Sequence, residues 1–225
     1  MRGRRRKLPV LAEISRSDSG SSRVWSLRRD DLRALASLRE RLDGQRVVLT
    51  AGEAGLAAAV AVAGTAAAAG RTTALLECDL VRPRLAAELG LAPAPGLHEY
   101  LRWEATAPEI LQPLALAGPA SRGASDPLVC IVAGRPASDP ATLTALASFR
   151  HALAKLRSGY DLVVLAGPPI DEGDASLHTL VMEADTVLAA VPPAAVSGRP
   201  RRELLASLRR LPGTVAGAVL VGDTA

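Results

Sequence analysis

The residues that come closest to phosphate-binding chemistry lie in one turn, residues 51–57. An apolar run precedes this turn, and an alanine-rich stretch follows it as far as Gly70. A strand, turn and helix in this order direct backbone N–H groups and the positive end of the helix dipole at an anion. The candidate nucleotide-binding residues are therefore Gly52, Glu53, Ala54, Gly55, Leu56 and Ala57.

This loop lacks the side chains that nucleotide chemistry requires. A phosphate-binding loop normally supplies a lysine to the β- and γ-phosphates and a serine or threonine hydroxyl to Mg²⁺. Neither type occurs in residues 51–57, and no lysine lies between Lys7 and Lys155. We expect no cofactor to be bound, and ATP with Mg²⁺ is the alternative.

Two acidic residues, Glu77 and Asp79, end the next apolar run. Ligands of parallel α/β sheets bind beyond the carboxyl ends of the strands. The turns after Thr50, Cys78 and Leu165 should therefore meet at one edge. Glu77 and Asp79 join the candidate nucleotide site, with Asp79 as a vestigial catalytic candidate. The competing interpretation is an active enzyme that uses Asp79, with one of Arg71, Arg82 and Arg84 binding the phosphates.

Strand-like apolar runs alternate with helical patterns from residue 27 onward. Near-continuous apolar strands are typical of a parallel sheet that is covered on both faces. We predict a doubly wound, mainly parallel α/β domain over residues 27–225, preceded by a basic, serine-rich flexible tail over residues 1–26. Residues 1–46 hold 13 basic and 6 acidic side chains, so the positive charge is concentrated near the N-terminus.

The composition argues against several other classes. Aromatic residues make up only 2% of the chain, which leaves few platforms for stacking nucleic-acid bases. We interpret Cys78 and Cys130 as reduced core thiols, and the scattered His98, His151 and His178 predict no metal site. The uncharged run over residues 54–70 is too short to span a bilayer, so we expect a cytoplasmic protein.

Several landmarks, taken in order, resemble those of one protein family. They are Glu77-Cys78-Asp79 with Arg82-Pro83, Leu89-Gly90-Leu91 with Pro95-Gly96-Leu97, Ala133-Gly134 with Asp139-Pro140, Tyr160-Asp161 with Pro168-Pro169, and Ala184-Asp185. Over about residues 28–223 the chain resembles the cytoplasmic P-loop domain of the bacterial tyrosine kinases of capsule and exopolysaccharide synthesis. It resembles the MinD/ParA group of ATPases more distantly.

The resemblance implies which functional residues have been replaced. The family's lysine falls on Gly55, its Ser-Thr pair on Leu56-Ala57, and its second magnesium-binding aspartate on Ala166. This implies a catalytically impaired relative that acts as a regulatory or scaffolding partner of a membrane polysaccharide co-polymerase or adaptor protein. We expect a cytoplasmic protein that could lie peripherally at the inner face of the cell membrane. The alternatives are an active tyrosine kinase or ATPase and a MinD/ParA-like positioning protein on membrane or DNA.

Four further regions could contribute contacts. The leucines of residues 28–42 have helical spacing and serve either packing or a homodimer. The basic run over residues 1–7 could touch acidic lipid or nucleic acid. Residues 171–174 form an acidic cluster, and Arg199, Arg201 and Arg202 form a basic patch; a solvated surface is the default for both. The family's C-terminal tyrosine cluster is missing, since Tyr100 and Tyr160 are the only tyrosines.

Overall fold

The computed structural model describes residues 8–16, 29–114, 128–170 and 174–223. Within them, eight strands form one sheet: β1 Val10–Arg16, β2 Val47–Ala51, β3 Thr73–Glu77, β4 Gln112–Pro113, β5 Leu128–Ile131, β6 Leu162–Ala166, β7 Thr186–Val191 and β8 Val215–Asp223. The helices are α1 Arg29–Arg41, α2 Gly55–Ala68, α3 Leu85–Leu89, α4 Leu97–Leu101, α5 Ala107–Ile110, α6 Pro140–Ala145, α7 Ala147–Gly159, α8 Ala175–Glu183 and α9 Gly198–Arg210.

The strand order is β1-β8-β7-β2-β6-β3-β5-β4. All pairs are parallel except β4 with β5. The central strands β2, β3 and β6 are buried at every residue, as expected when helices cover both faces. The predicted α/β fold with a mainly parallel sheet is therefore confirmed.

Helix α2 lies almost wholly inside the protein. Eleven of its residues are buried, and most are alanine, so its backbone can approach the sheet closely. Helix α1 packs against α2 and β1 through Leu35, Leu38 and Leu42, each at most 3% exposed. Packing on the body accounts for these three leucines, and a homodimer through residues 28–42 stays a prediction.

The assignment of residues 1–26 to a tail is wrong for residues 10–16. Strand β1 pairs in parallel with β8 and extends the sheet at one edge. Ala12 and Ile14 point inward and are buried, while Glu13 between them is exposed. This alternation satisfies the backbone of the strand and adds two side chains to the core. Residues 1–7 and 17–26 lie outside the described residues.

Two smaller predictions also differ from the structure. The helix expected from residue 139 to about residue 157 is divided at Leu146, whose backbone is extended, into α6 and α7. The strand expected over residues 114–117 is replaced by β4, which ends at Pro113, and residues 115–117 are outside the described part.

Candidate functional site

The turns that follow β2, β3 and β6 meet at one edge of the sheet, as predicted. The backbone N–H of Gly167 donates to the Thr50 carbonyl at 2.8 Å, and that of Cys78 donates to the Ala166 carbonyl at 2.8 Å. In the strand register, Ala166 lies between Thr50 and Glu77. The candidate loop, the acidic residues and the position of the family's second aspartate are therefore neighbours.

The candidate loop is held by hydrogen bonds to the protein itself. The N–H of Gly52 donates to the Pro168 carbonyl at 3.1 Å, that of Ala54 to the Ala190 carbonyl at 3.2 Å, and that of Gly55 to the Gly52 carbonyl at 2.9 Å. A phosphate cradle is built from backbone N–H groups that point at the ligand. Three such groups in this loop already have protein acceptors.

Apolar packing fills the positions that would bind magnesium. Leu56 and Ala166 belong to one hydrophobic cluster and are 5% and 1% exposed. Ala57 is also buried. A charged metal ion has no oxygen ligand from these side chains, and hard cations such as Mg²⁺ require oxygen ligands. The residues at these positions do not fit a Mg²⁺ site.

The position of the missing lysine is sterically tight. A Cβ atom on Gly55 would lie 3.1 Å from the carbonyl oxygen of Gly167 and 3.2 Å from that of Thr50. The Thr50 hydroxyl further fixes this turn, since it donates to the Gly55 carbonyl at 2.8 Å. Any side chain at position 55 therefore requires the neighbouring backbone to shift by a few tenths of an ångström.

The Glu77 carboxylate binds backbone N–H groups of the protein, so it is not directed at a ligand. Its Oε1 accepts hydrogen bonds from the N–H groups of Arg84 and Leu85 at 2.6 and 2.8 Å, and its Oε2 accepts one from Ala133 at 3.0 Å. Burial raises the pKa of Glu77, and these three amide hydrogen bonds act in the opposite direction. Both carboxylate oxygens are thus engaged in joining β3, α3 and the end of β5.

Asp79 stabilises the turn after β3. It accepts a hydrogen bond from the N–H of Arg82 at 3.1 Å and forms an ion pair of 3.5 Å with the same guanidinium. Arg71 donates to the Asp161 carbonyl ahead of β6, which places it at the opposite edge of the sheet. Arg71 is therefore excluded as a phosphate ligand of this loop.

A cleft of about 170 Å³ lies beside the loop, lined by Glu53, Ala54, Leu56, Ala57, Arg84, Glu88, Pro192 and Val221. Pockets for nucleotide-sized ligands usually measure about 300–1,000 Å³. Two of the lining side chains, Glu53 and Glu88, are carboxylates that would repel phosphate, and Arg84 is the one cation among them. The cleft is small and electrostatically mixed.

The other predicted residues do not converge on this loop. Cys78 and Cys130 are buried free thiols, and burial raises the pKa of Cys130 to about 12. Asp174 accepts from the N–H groups of Ser176 and Leu177 and so caps α8, while residues 171–173 lie outside the described part. No group of three potential metal-binding His, Cys, Asp or Glu side chains occurs among the described residues.

An ion pair between a buried glutamate, Glu99, and an exposed arginine, Arg135, lies near this edge and was not predicted from the sequence. Glu99 of α4 accepts from the N–H of Gly96 at 2.8 Å, and from the N–H and Nε of Arg135 at 3.1 and 2.8 Å. Burial alone would raise the pKa of Glu99, but the bonds from Arg135 and Gly96 outweigh it and lower the pKa to about 2. Gly96 and Gly134, which lie next to each other in the structure, both fall in the family's landmarks, but their separation of 38 positions in the sequence does not signal the contact.

No protein-family model and no curated protein matches the chain. Among solved structures, the chimerical protein CapA2B2 aligns with 95% of this chain and 94% of its own at 16% identity, with a TM-score of 0.75. The kinase domain of Escherichia coli tyrosine kinase ETK aligns over 96% and 91% at 19% identity, with a TM-score of 0.73.

The chain has the fold of the bacterial tyrosine-kinase domains. Each of these two matches spans more than nine-tenths of both chains. The MinD protein of Pyrococcus horikoshii, solved with Mg-ADP, is a more distant match at 14% identity, with 78% of this chain and 69% of that chain covered and a TM-score of 0.53. At these identities the likeness establishes the tyrosine-kinase fold alone. None of the helices in the described residues is long and apolar enough to cross a membrane.

Proposed function

We propose that this chain is a catalytically impaired relative of the bacterial tyrosine kinases. In this role it regulates or scaffolds a membrane polysaccharide co-polymerase in exopolysaccharide or capsule synthesis. The observation that carries the proposal is the replacement of the lysine, the hydroxyl and the aspartate by Gly55, Leu56 and Ala166, two of which are packed in the core. Three loop amides that could cradle phosphate donate to carbonyls instead.

The energetic reason is the nature of phosphoryl transfer. The reaction depends almost entirely on positioning and on stabilising charge, with little covalent chemistry for the protein to perform. Removing one preorganised donor of this kind costs roughly 3 kcal/mol of transition-state stabilisation. Loss of a cation and two metal ligands at one site therefore supports a role that depends on binding a partner.

The enzyme alternative rests on Asp79 and Arg84. Asp79 is 9% exposed and lies near the loop, and Arg84 lines the adjoining cleft. Asp79 is, however, engaged with Arg82, and Arg84 shares the cleft with two glutamates. We therefore favour the partner-binding role.

Gene deletion and complementation in the cell that makes the polysaccharide distinguish the partner-binding role from the enzyme. Deleting the gene should lower the yield of extracellular polysaccharide, and restoring it with Asp79→Asn should return the full yield. Asparagine can still accept the hydrogen bond from the Arg82 N–H, so the turn is kept while the charge is removed. An unchanged polymer yield in the deletion strain would contradict the role in polysaccharide synthesis. Rescue by the natural chain but not by Asp79→Asn would favour the enzyme.

A further inference from the structure

We propose that the exposed turn after α4, Arg102-Trp103-Glu104, is the surface through which two copies of this chain form a symmetric dimer. The contact involves neither the candidate nucleotide loop nor a polysaccharide-synthesis partner. It therefore stands or falls separately from the function proposed above.

Trp103 is the one largely exposed aromatic side chain among the described residues. It is 81% exposed, whereas Phe149 is fully buried and Tyr100 and Tyr160 are partly buried. Tryptophan is enriched among the residues that anchor protein interfaces, because one rigid ring buries a large area and loses little side-chain entropy. An aromatic ring that lies in water at this position is available to a partner.

The backbone of the turn holds the Trp103 ring in one place. Trp103 has a φ of 63°, a left-handed conformation that favours glycine. Its N–H donates to the Tyr100 carbonyl at 3.0 Å, and the N–H of Glu104 donates to the Glu99 carbonyl at 2.8 Å. Strained residues of this kind persist where the surroundings determine them, and they cluster at ligand-binding and switch regions. A ring that is already fixed loses little freedom when a partner binds.

An ion pair next to the ring adds a fixed surface dipole. The Nε of Arg102 donates to Glu104 at 2.7 Å, and Arg135 joins Glu104 to the buried Glu99. The side chains of Arg102 and Glu104 are 55% and 37% exposed. Within the described part of the chain, the terminal nitrogens of Arg102 make no hydrogen bond. These nitrogens can donate to a carboxylate of a partner.

The turn is complementary to a second copy of itself. A two-fold axis reverses the direction of the Arg102–Glu104 dipole, so the arginine of each copy faces the glutamate of the other. The two Trp103 rings then meet near the axis, where aromatic pairs prefer offset or edge-to-face stacking. A different protein would need its own matching pair of charges beside an apolar group, whereas a second copy of this chain always has them. This charge complementarity identifies the occupant as a second copy.

The contact is small, so the expected dimer is weak. Two tryptophan side chains bury about 300–500 Å² together, and interfaces at the low end of the size range are typical of transient association. We expect a dissociation constant of about 10–100 µM.

Sedimentation equilibrium of the full chain between about 5 and 500 µM tests this proposal. Trp103→Gly removes the anchor and suits the left-handed backbone, so the fold is kept. This variant should raise the dissociation constant by about tenfold or more. Met182→Ala is the matched control, because it removes another exposed apolar side chain, 68% exposed, from α8. It should leave the dissociation constant nearly unchanged.

Two charge variants test the symmetry of the contact. Arg102→Glu places like charges opposite each other across the axis, and Glu104→Arg does the same with the other sign. Each variant alone should dimerise about tenfold or more weakly than the natural chain. An equal mixture of the two restores opposite charges at both contacts, so it should associate about as tightly as the natural chain.

Three results would overturn the proposal. The first is a natural chain that stays monomeric at about 500 µM. The second is a dimer that Trp103→Gly leaves intact, which would place the contact elsewhere, for example at residues 28–42. The third is a mixture of the two folded charge variants that associates no better than either variant alone.

Discussion

The side-chain carboxylate of Glu77 accepts a hydrogen bond of 2.8 Å from the backbone N–H of Leu85, the first residue of α3. The same carboxylate binds the N–H groups of Arg84 and Ala133. An acidic residue that resembles a magnesium ligand in the sequence is thus a structural connector. The change of role fits the loss of the other metal-binding side chains around it.

We predict that Glu77→Gln lowers the free energy of unfolding by roughly 1–3 kcal/mol. Both oxygens accept backbone N–H groups, so either orientation of the amide sets its NH₂ against a donor. Asp79→Asn is the matched control and should cost less, because asparagine keeps the acceptor for the Arg82 N–H and loses only the ion pair with the exposed Arg82 guanidinium. Urea denaturation of the two variants measures the difference. Equal losses would show that the contacts of Glu77 carry no special weight.

Glu99 should make part of the stability depend on acid pH. Its pKa is lowered to about 2 in the folded protein, against about 4.3 in an unfolded chain. A lowered carboxyl pKa stabilises the fold above the unfolded value, and this stabilisation is lost as the pH falls toward the folded value. Between pH 5 and pH 3, Glu99 should lose roughly 1.5 kcal/mol of its contribution. Glu99→Gln should be less stable at pH 5 and should lose less on acidification. Parallel pH profiles for the two proteins would refute this.

The turn at Gly52 should tolerate no side chain. Gly52 has a φ of 124°, and an added Cβ would lie 2.2 Å from the carbonyl oxygen of Ala190. Gly44 has a φ of 79°, and an added Cβ there would have no atom within 4 Å. A substitution at Gly44 therefore measures the cost of the positive φ alone. We expect Gly44→Ala to cost about 1 kcal/mol and Gly52→Ala roughly 3 kcal/mol or more. Thermal or urea unfolding distinguishes them. If Gly52→Ala lowered the free energy of unfolding no more than Gly44→Ala does, the loop backbone would shift easily to accommodate the added Cβ.

Trp103 lies in a position that normally holds glycine. It follows α4 with a φ of 63° and is 81% exposed. The hydrogen bonds Trp103 N–H to Tyr100 and Glu104 N–H to Glu99 form the left-handed ending that favours glycine. We predict that Trp103→Gly is more stable than Trp103→Ala by about 1 kcal/mol. Both variants lose the same exposed ring, so the difference isolates the backbone strain. A more stable alanine variant would argue against this backbone conformation.

The strands and the shared edge were predictable because they depend on local patterns. Each buried strand is a short apolar run, and parallel pairing brings the turns together. Strand β1 was not predicted because it has only two buried residues, Ala12 and Ile14. The basic and serine-rich sequence on either side of them is typical of a tail. The bond between Glu99 and Arg135 joins residues 36 positions apart, and no local pattern signals it. The extended backbone of Leu146 likewise has no proline or glycine to mark it.

Titration calorimetry of the purified chain with Mg-ATP tests the central claim most directly. MinD of Pyrococcus horikoshii with Mg-ADP serves as a positive control for the method, because that complex has been solved. The variant Gly55→Lys, Leu56→Ser, Ala166→Asp returns two of the missing groups to the loop and the third to the end of β6 beside it. For the natural chain we predict no binding heat up to about 1 mM nucleotide. Magnesium-dependent binding with a dissociation constant of about 10 µM or below would contradict the account, whatever the variant does.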